Sequence, residues 1–289
     1  MRFNLYLSLL CFCGFFATRI NAACITRYIE IWPPPNKPLP ANPTFIITLY
    51  GNACKYVSVF SSDSAVSIFH NREVIQLKCI EVILNDSNIH QLIYRPVKLL
   101  REYSNYTIDF SDTLIDSGII SSLFSIQLRK YKNDVFNPKA AFGVWKTEGI
   151  DLSKPSFSKQ LTKIKKKVGA GYCYPTNQIL FKHKIFDSGA LIFKFTIKRK
   201  GDTTTYTYYC PTLVVAEDKL VSLGTNGLFF PFKLDYGDKF RGTVQAMDAA
   251  GNFSKEIHPI TFRYRRKYYA VLTIIRQKLL PFETFLQLP

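Results

Sequence analysis

Acid is scarce in this 289-residue sequence: 21 Asp and Glu stand against 38 Lys and Arg, a formal net charge of +17. That imbalance excludes an acidic disordered chain and makes polyanions the natural partners. Glycine (14) and proline (15) are few against 15% aromatic residues. Collagen-like and low-complexity polymers are thereby excluded, and the length allows two ordinary domains with real cores. Long apolar runs are missing after the N-terminal region. The best later stretch, Tyr268 to Ile275, is bracketed by Lys267 and Arg276 and falls far short of the roughly 20 residues of a membrane span.

Catalytic motifs are also missing. There is no His-Glu-x-x-His, no Gly-x-Ser-x-Gly, no Gly-rich phosphate loop and, after the N-terminal region, no Cys-x-x-Cys. Gly169-Ala-Gly171 reads as a turn before Tyr172-Cys173, because a phosphate-binding loop needs a strand before it and a helix after. Of four histidines, His183 shares the apolar side of Ile179, Phe181 and Ile185, which marks a packed histidine rather than a metal ligand. Asp248, just before Gly251-Asn252, fits an Asx-type turn better than a calcium site. No catalytic residue, metal ligand or cofactor is assigned, and the expected function is non-enzymatic. Glycosylation-type triplets start at Asn85, Asn105 and Asn252.

The N-terminus supplies the compartment. Arg2 precedes the apolar run Leu5 to Phe16, and Ile20-x-Ala22 offers a cleavage site, so residues 1–22 read as a signal peptide. The expected location is exported: extracellular, periplasmic or cell surface. Losing Arg2 and Arg19 leaves +15 on the mature chain. Cys11 and Cys13 leave as well, and five cysteines remain, at 24, 54, 79, 173 and 210. Export permits disulfides, and proximity pairs Cys54 with Cys79 and Cys173 with Cys210. Cys24 is left over. Either Ala22-Ala23-Cys24 is a lipoprotein processing site whose cysteine carries an acyl anchor, or Cys24 is free, intermolecular or a competitor for Cys54 and Cys79.

Short alternating apolar runs between turn clusters dominate the mature chain, so the expected fold class is all-β. In Tyr106 to Ser111, Tyr106, Ile108 and Phe110 share one face. In Leu191 to Lys200, Leu191, Phe193, Phe195 and Ile197 oppose Ile192, Lys194, Thr196, Lys198 and Lys200. The turn Lys200-Gly201-Asp202 and the alternation of Thr204 to Cys210 complete a hairpin. Phe240 to Asp248 alternates too. The stretch Thr113 to Lys139 is too long for a hairpin loop and is expected to hold a helix near Ile119 to Lys130.

One pattern recurs: Leu100-x5-Tyr106 and, about 134 residues later, Leu234-x5-Phe240 each open an alternating strand. A leucine six residues before such an aromatic is similar to the tyrosine corner of immunoglobulin-like and fibronectin type III sandwiches. With Phe240 only the packing role carries over. The segment Val244-Gln-Ala-Met-Asp248-Ala-Ala-Gly251-Asn252-Phe-Ser254 resembles the strand and turn of bacterial fibronectin type III-like modules. The resemblance implies two tandem sandwiches after the signal peptide. The first spans 24–147 with a long insertion and the second spans 152–265, with a basic and apolar tail over 266–289. It implies an adhesion, scaffold or ligand-binding role. The alternative is a carbohydrate-binding accessory module or an enzyme of the cell envelope.

Charge is clustered. Lys159, Lys163, Lys165, Lys166 and Lys167 form one run, and Arg263, Arg265, Arg266 and Lys267 a second. An exported chain seldom meets nucleic acid, so the expected partners are an acidic polysaccharide, envelope phosphate or another surface protein. In the tail, Val271, Ile274, Ile275, Leu279 and Leu280 fall at helical spacing, suited to a membrane surface, to docking on a partner or to packing back on the chain's own domain. The sharpest expectation is a binding face in the second domain. Lys194, Lys198 and Lys200 should lie between Thr205, Thr207 and Tyr209 on one side and Arg241, Thr243 and Gln245 on the other. That would be a flat basic field with one aromatic. The plainer reading is a solvated surface whose lysines guard strand edges.

Overall fold

The computed structural model describes residues 28–35, 37–85, 89–111, 114, 143–164, 179–187, 189–215, 218–223 and 237–263. These residues are mostly β and divide into two compact units, with the change between Asp151 and Leu152. The signal peptide, Cys24, the helix expected near 119–130, Lys165 to Lys167, Cys173 and the tail from 266 lie outside the described residues.

The first unit holds β1 (Tyr28–Trp32), β2 (Phe45–Tyr50), β3 (Val66–His70), β4 (Glu73–Leu84), β5 (Ile89–Pro96), β6 (Asn105–Phe110) and β7 (Trp145–Lys146). Hydrogen bonding orders them β1-β2-β5-β4-β3-β6-β7. β2 is buried along its whole length, Thr48 included, so both of its faces are covered. β4 serves two partners: Glu73 to Gln76 pair with β3, and Leu77 to Leu84 pair with β5. The ladder folds over at this strand. Phe45 on β2 and Trp145 on β7, near opposite ends of the order, meet edge-on at 6.0 Å. Between the layers lies one core, with Ile47, Leu49, Leu92, Tyr94, Val66, Ile68, Tyr106 and Ile108 all buried. Each such side chain contributes about 1.5–3 kcal/mol by leaving water.

The proline bend after β1 carries the chain from one layer to the other. Trp145 Nε1 donates to the Pro33 carbonyl at 2.8 Å, and Leu39 then forms a parallel bridge with Thr147. Leu39 N–H donates to Lys146 O, Glu148 N–H to Leu39 O and Ala41 N–H to Gly149 O. Asn42 clasps the backbone of Asp151 in both directions, at 3.0 and 3.1 Å. The first unit therefore keeps hold of its chain as far as Asp151.

The second unit holds β8 (Ser156–Ile164), β9 (Ile179–Phe186), β10 (Leu191–Arg199), β11 (Thr205–Val215), β12 (Asp218–Leu223), β13 (Lys239–Asp248) and β14 (His258–Arg263). Its order is β8-β9-β12-β11-β10-β13-β14, which repeats the connectivity of the first unit place by place. β11 divides as β4 does. Thr205 to Pro211 pair with β10 and Thr212 to Val215 with β12. The strands at the two ends of the order again meet, since the Phe157 ring lies 4.2 Å from that of His258.

The corner expected at Tyr106 is present: its hydroxyl accepts the Arg101 backbone N–H at 2.8 Å. In the second unit Phe240, which has no hydroxyl, stacks on Phe262 at 5.0 Å.

The expected Cys54–Cys79 bridge is absent, and both residues are thiols. Cys54 Sγ donates to Leu49 O at 3.2 Å, beside the residue that faces His90 on β5. Cys79 faces Tyr94, four residues along the same strand. At about 3.3 Å per residue that is roughly 13 Å, well beyond the Cα separation of about 7 Å that a disulfide tolerates. Proximity in sequence is overruled by register.

Candidate functional site

Of the residues expected on a binding face, Lys194, Lys198 and Arg241 sit on a three-strand platform of β11, β10 and β13, and Lys200 lies in the turn after β10. Gly201, at φ 92°, takes the left-handed conformation that turns the chain after β10. Asp202 N–H closes the turn onto Arg199 O, and Lys200 N–H reaches across to Lys239 O at 2.8 Å. β13 lies unusually close to β10 at Gly242. A Cβ there would fall on the carbonyl oxygen of Thr196, so glycine is what lets the two strands approach.

Register then fixes the outward rows. Lys194 stands abreast of Tyr209 and Gln245, Thr196 of Thr207 and Thr243, and Lys198 of Thr205 and Arg241. β14 extends the platform, because Arg241 faces Thr261 and Lys239 faces Arg263. Lys200, Lys239, Arg241 and Arg263 are exposed, and Lys194 and Lys198 half-buried. Lys239 was missed in the sequence, and Arg263, read there as part of a basic run, was not placed on this face. Stepping back two residues from Arg241 would have found Lys239, but Arg263 enters only through the cross-strand register.

Two members behave differently from expectation. Tyr209 is not an exposed aromatic: it is only 1% accessible. The Lys194 ammonium stands 5.5 Å from its ring centre and 5.6 Å from that of Phe253, so the lysine stem caps the tyrosine while its charge rests between two π faces. Alternation correctly gave the side of the sheet, but it carries no information about what lies above. The charge left on this face is thus Lys200, Lys239, Arg241 and Arg263, all exposed, with the half-buried Lys198. Among the described residues none of these enters a salt bridge, whereas Arg199, on the opposite side of β10, pairs with Asp238 at 3.3 Å.

Asp248 closes a turn. Its Oδ1 accepts the N–H groups of Ala250 and Asn252, each at 2.9 Å, and Ser254 Oγ accepts from Ala246 N–H at 3.2 Å. His183 is buried with its ring 4.6 Å from Phe193. Of the glycosylation-type asparagines, Asn85 is buried and Asn105 exposed. Cys210 is buried on the core side of β11; the proposed partner Cys173 lies outside the described residues. Burial pushes the Cys54 thiol up from 9.0 to about 11 and raises that of Cys79. Glu73 is held below the usual carboxylate range by Lys98, at 2.6 Å, and Arg101, at 3.2 Å.

No known protein family and no curated protein sequence matches the chain. Among solved structures it is similar to a cytokine receptor complex, at 10% identity and a TM-score of 0.26, over 82% of this chain and 96% of that one. It is also similar to the FN1–FN3 domains of chicken CNTN1, at 10% identity and a TM-score of 0.22, over 82% of this chain and 65% of that one. A third is the N-terminal part of the bacterial S-layer protein SbsC, at 11% identity and a TM-score of 0.23, with coverage of 82% and 44%. The chain spans less than two thirds of the last two.

Proposed function

We propose that this chain is an exported, non-enzymatic surface-binding module made of two immunoglobulin-like or fibronectin type III-like sandwiches, and that the β10–β13–β14 face holds it to an acidic polysaccharide. The repeated strand order and the Tyr106 corner support the fold assignment. One observation carries the binding assignment: like charges stand abreast with no salt-bridge partner among the described residues, Lys198 against Arg241 and Lys239 against Arg263, the neighbouring Asp238 being paired with Arg199. Such pairs are unfavourable in isolation, and a polyanion lying across the strands would relieve both at once. A flat sheet face suits a polymer and lacks the concavity a small substrate wants.

Heparin and dextran sulfate serve as probes, with neutral dextran as control. Binding to the sulfated polymers should weaken steeply as salt rises past physiological strength, where screening acts over about 8 Å. Changing Lys198, Lys239, Arg241 and Arg263 together to Ser should remove most of it, with Tm moving by no more than a few degrees because these positions are at the surface. Lys194 is left intact in this variant because its stem covers Tyr209. Retained salt-sensitive binding in the folded quadruple variant would refute the assignment, as would equal binding to neutral dextran.

A further inference from the structure

The edges of the two ladders are not treated alike. β7 is covered by the parallel pairing of Leu39 and Ala41. β8 is broken by two register irregularities and carries Lys159 and Lys163. β14 carries Pro259 and Arg263. These are the devices that keep an edge from pairing with another chain. The second half of β4 has one such irregularity, between Cys79 and Glu81, and one lysine, Lys78, but it differs in the aliphatic side chains it exposes beyond them. From Leu77 to Leu84 it pairs with β5 on one side only, and among the described residues no strand lies on the other side. Along this half Ile80, Val82 and Leu84 are 48%, 40% and 65% accessible. The register gives the reason. Val82 and Leu84 take the face of Leu92 and His90, which is the core side of the layer, but β3 accompanies β4 only as far as Gln76. Beyond that point Val82 and Leu84 are left open to solvent. The irregularity between Cys79 and Glu81 turns Ile80 out as well.

We propose that this half of β4 is a self-association edge, on which a second copy of the chain pairs antiparallel about a twofold axis through Val82. The stripe is self-complementary under that operation. Ile80 of each copy meets Leu84 of the other, the two Val82 side chains meet on the axis, and Glu81 falls opposite Ile83 rather than opposite its own copy. A twofold contact needs only one patch that matches itself, and edge pairing supplies main-chain hydrogen bonds to both strands. Charge permits the approach. In a chain of +17, Leu77 to Leu84 carries one Lys and one Glu, Lys78 and Glu81, so two copies can meet here without the repulsion that the basic face would impose.

The test uses the full exported chain. Sedimentation equilibrium over a hundredfold concentration range should show a monomer–dimer equilibrium, and Val82→Lys should weaken it at least tenfold while far-UV circular dichroism and Tm stay as in the parent. Independently, Val82→Cys in a Cys79→Ser background should give a disulfide-linked dimer on oxidation with copper–phenanthroline and dissolved oxygen, because position 82 lies on the axis. Ile83→Cys in the same background should give no more than Cys79→Ser alone. A chain that stays monomeric throughout, a dimer indifferent to Val82→Lys, or equal cross-linking at 82 and 83 would overturn the proposal. Because Val82 lies outside the β10–β13–β14 face, loss of dimer with retained heparin binding separates this edge from the polyanion reading.

Discussion

At the scale of single residues, the most informative group is the Tyr106 hydroxyl. It ties the start of β6 to the Arg101 backbone, and Tyr106→Phe removes that acceptor while keeping the ring. The expected loss is about 1 kcal/mol, read as a lower urea midpoint at unchanged slope. Phe240, which has no hydroxyl and stacks on Phe262, shows that ring packing alone can start the matching strand in the second unit. Cys54 gives a pH signature. Its thiol is raised from 9.0 to about 11 in the fold, so the folded chain holds this proton more tightly than the unfolded one. The resulting stabilisation is complete below about pH 9 and is lost as pH rises toward 11, by at most about 1.4 kcal/mol per pH unit. Urea midpoints of the parent should therefore fall more steeply between pH 9 and 10.5 than those of Cys54→Ala. Parallel curves for the two proteins would show that the thiol does not carry the effect. Cys79 and Tyr94, also raised by burial, are common to both and cancel. The sequence told where these residues lie along the chain but not their surroundings. Tyr209 was expected in solvent and lies under Lys194, and Cys54 was expected beside Cys79 and lies beside Leu49.

At the scale of elements, alternation was a faithful guide. The strands read at Tyr106, Leu191, Thr204 and Phe240 all appear, as β6, β10, β11 and β13, within a residue of their expected bounds except that β11 runs five residues past Cys210, to Val215. What alternation does not contain is partner choice. Nothing in Glu73 to Leu84 announces that its first four residues pair with β3 and the rest with β5, because that division is set by segments far away in the chain. The same holds for Arg263, whose place beside Lys239 depends on how β14 aligns. Gly242 shows an element-scale constraint with a local cause. Gly242→Ala would drive a methyl group into the backbone of Thr196 and Ile197, and strands cannot yield as a side chain can. We expect a loss of about 1–3 kcal/mol, typical of overpacking, together with faster hydrogen exchange at the β10 and β13 amides that flank it. A variant as stable as the parent would mean that the two strands can separate freely there.

At the scale of the whole molecule, one connectivity is used twice with little sequence in common. The repeat was visible only through the leucine-aromatic spacing and the alternating strands that follow it. That is enough to suggest duplication, because a sandwich constrains which positions face inward more than it constrains which residues fill them. Surface chemistry is free to diverge, and it does: the second unit presents lysines and arginines on its β13 side, while the first presents aliphatics along β4.

The bridge between Leu39 and Thr147 has a mechanical meaning. The two segments run parallel and are joined by hydrogen bonds through Leu39, Ala41, Lys146, Glu148 and Gly149. One segment lies near the entry of the chain into the first unit and the other near its exit. Tension applied through those two ends pulls parallel neighbours in opposite directions along their length. The bonds are then loaded in shear and together, rather than peeled apart one after another, so the force at which the unit yields is set by a whole patch of backbone.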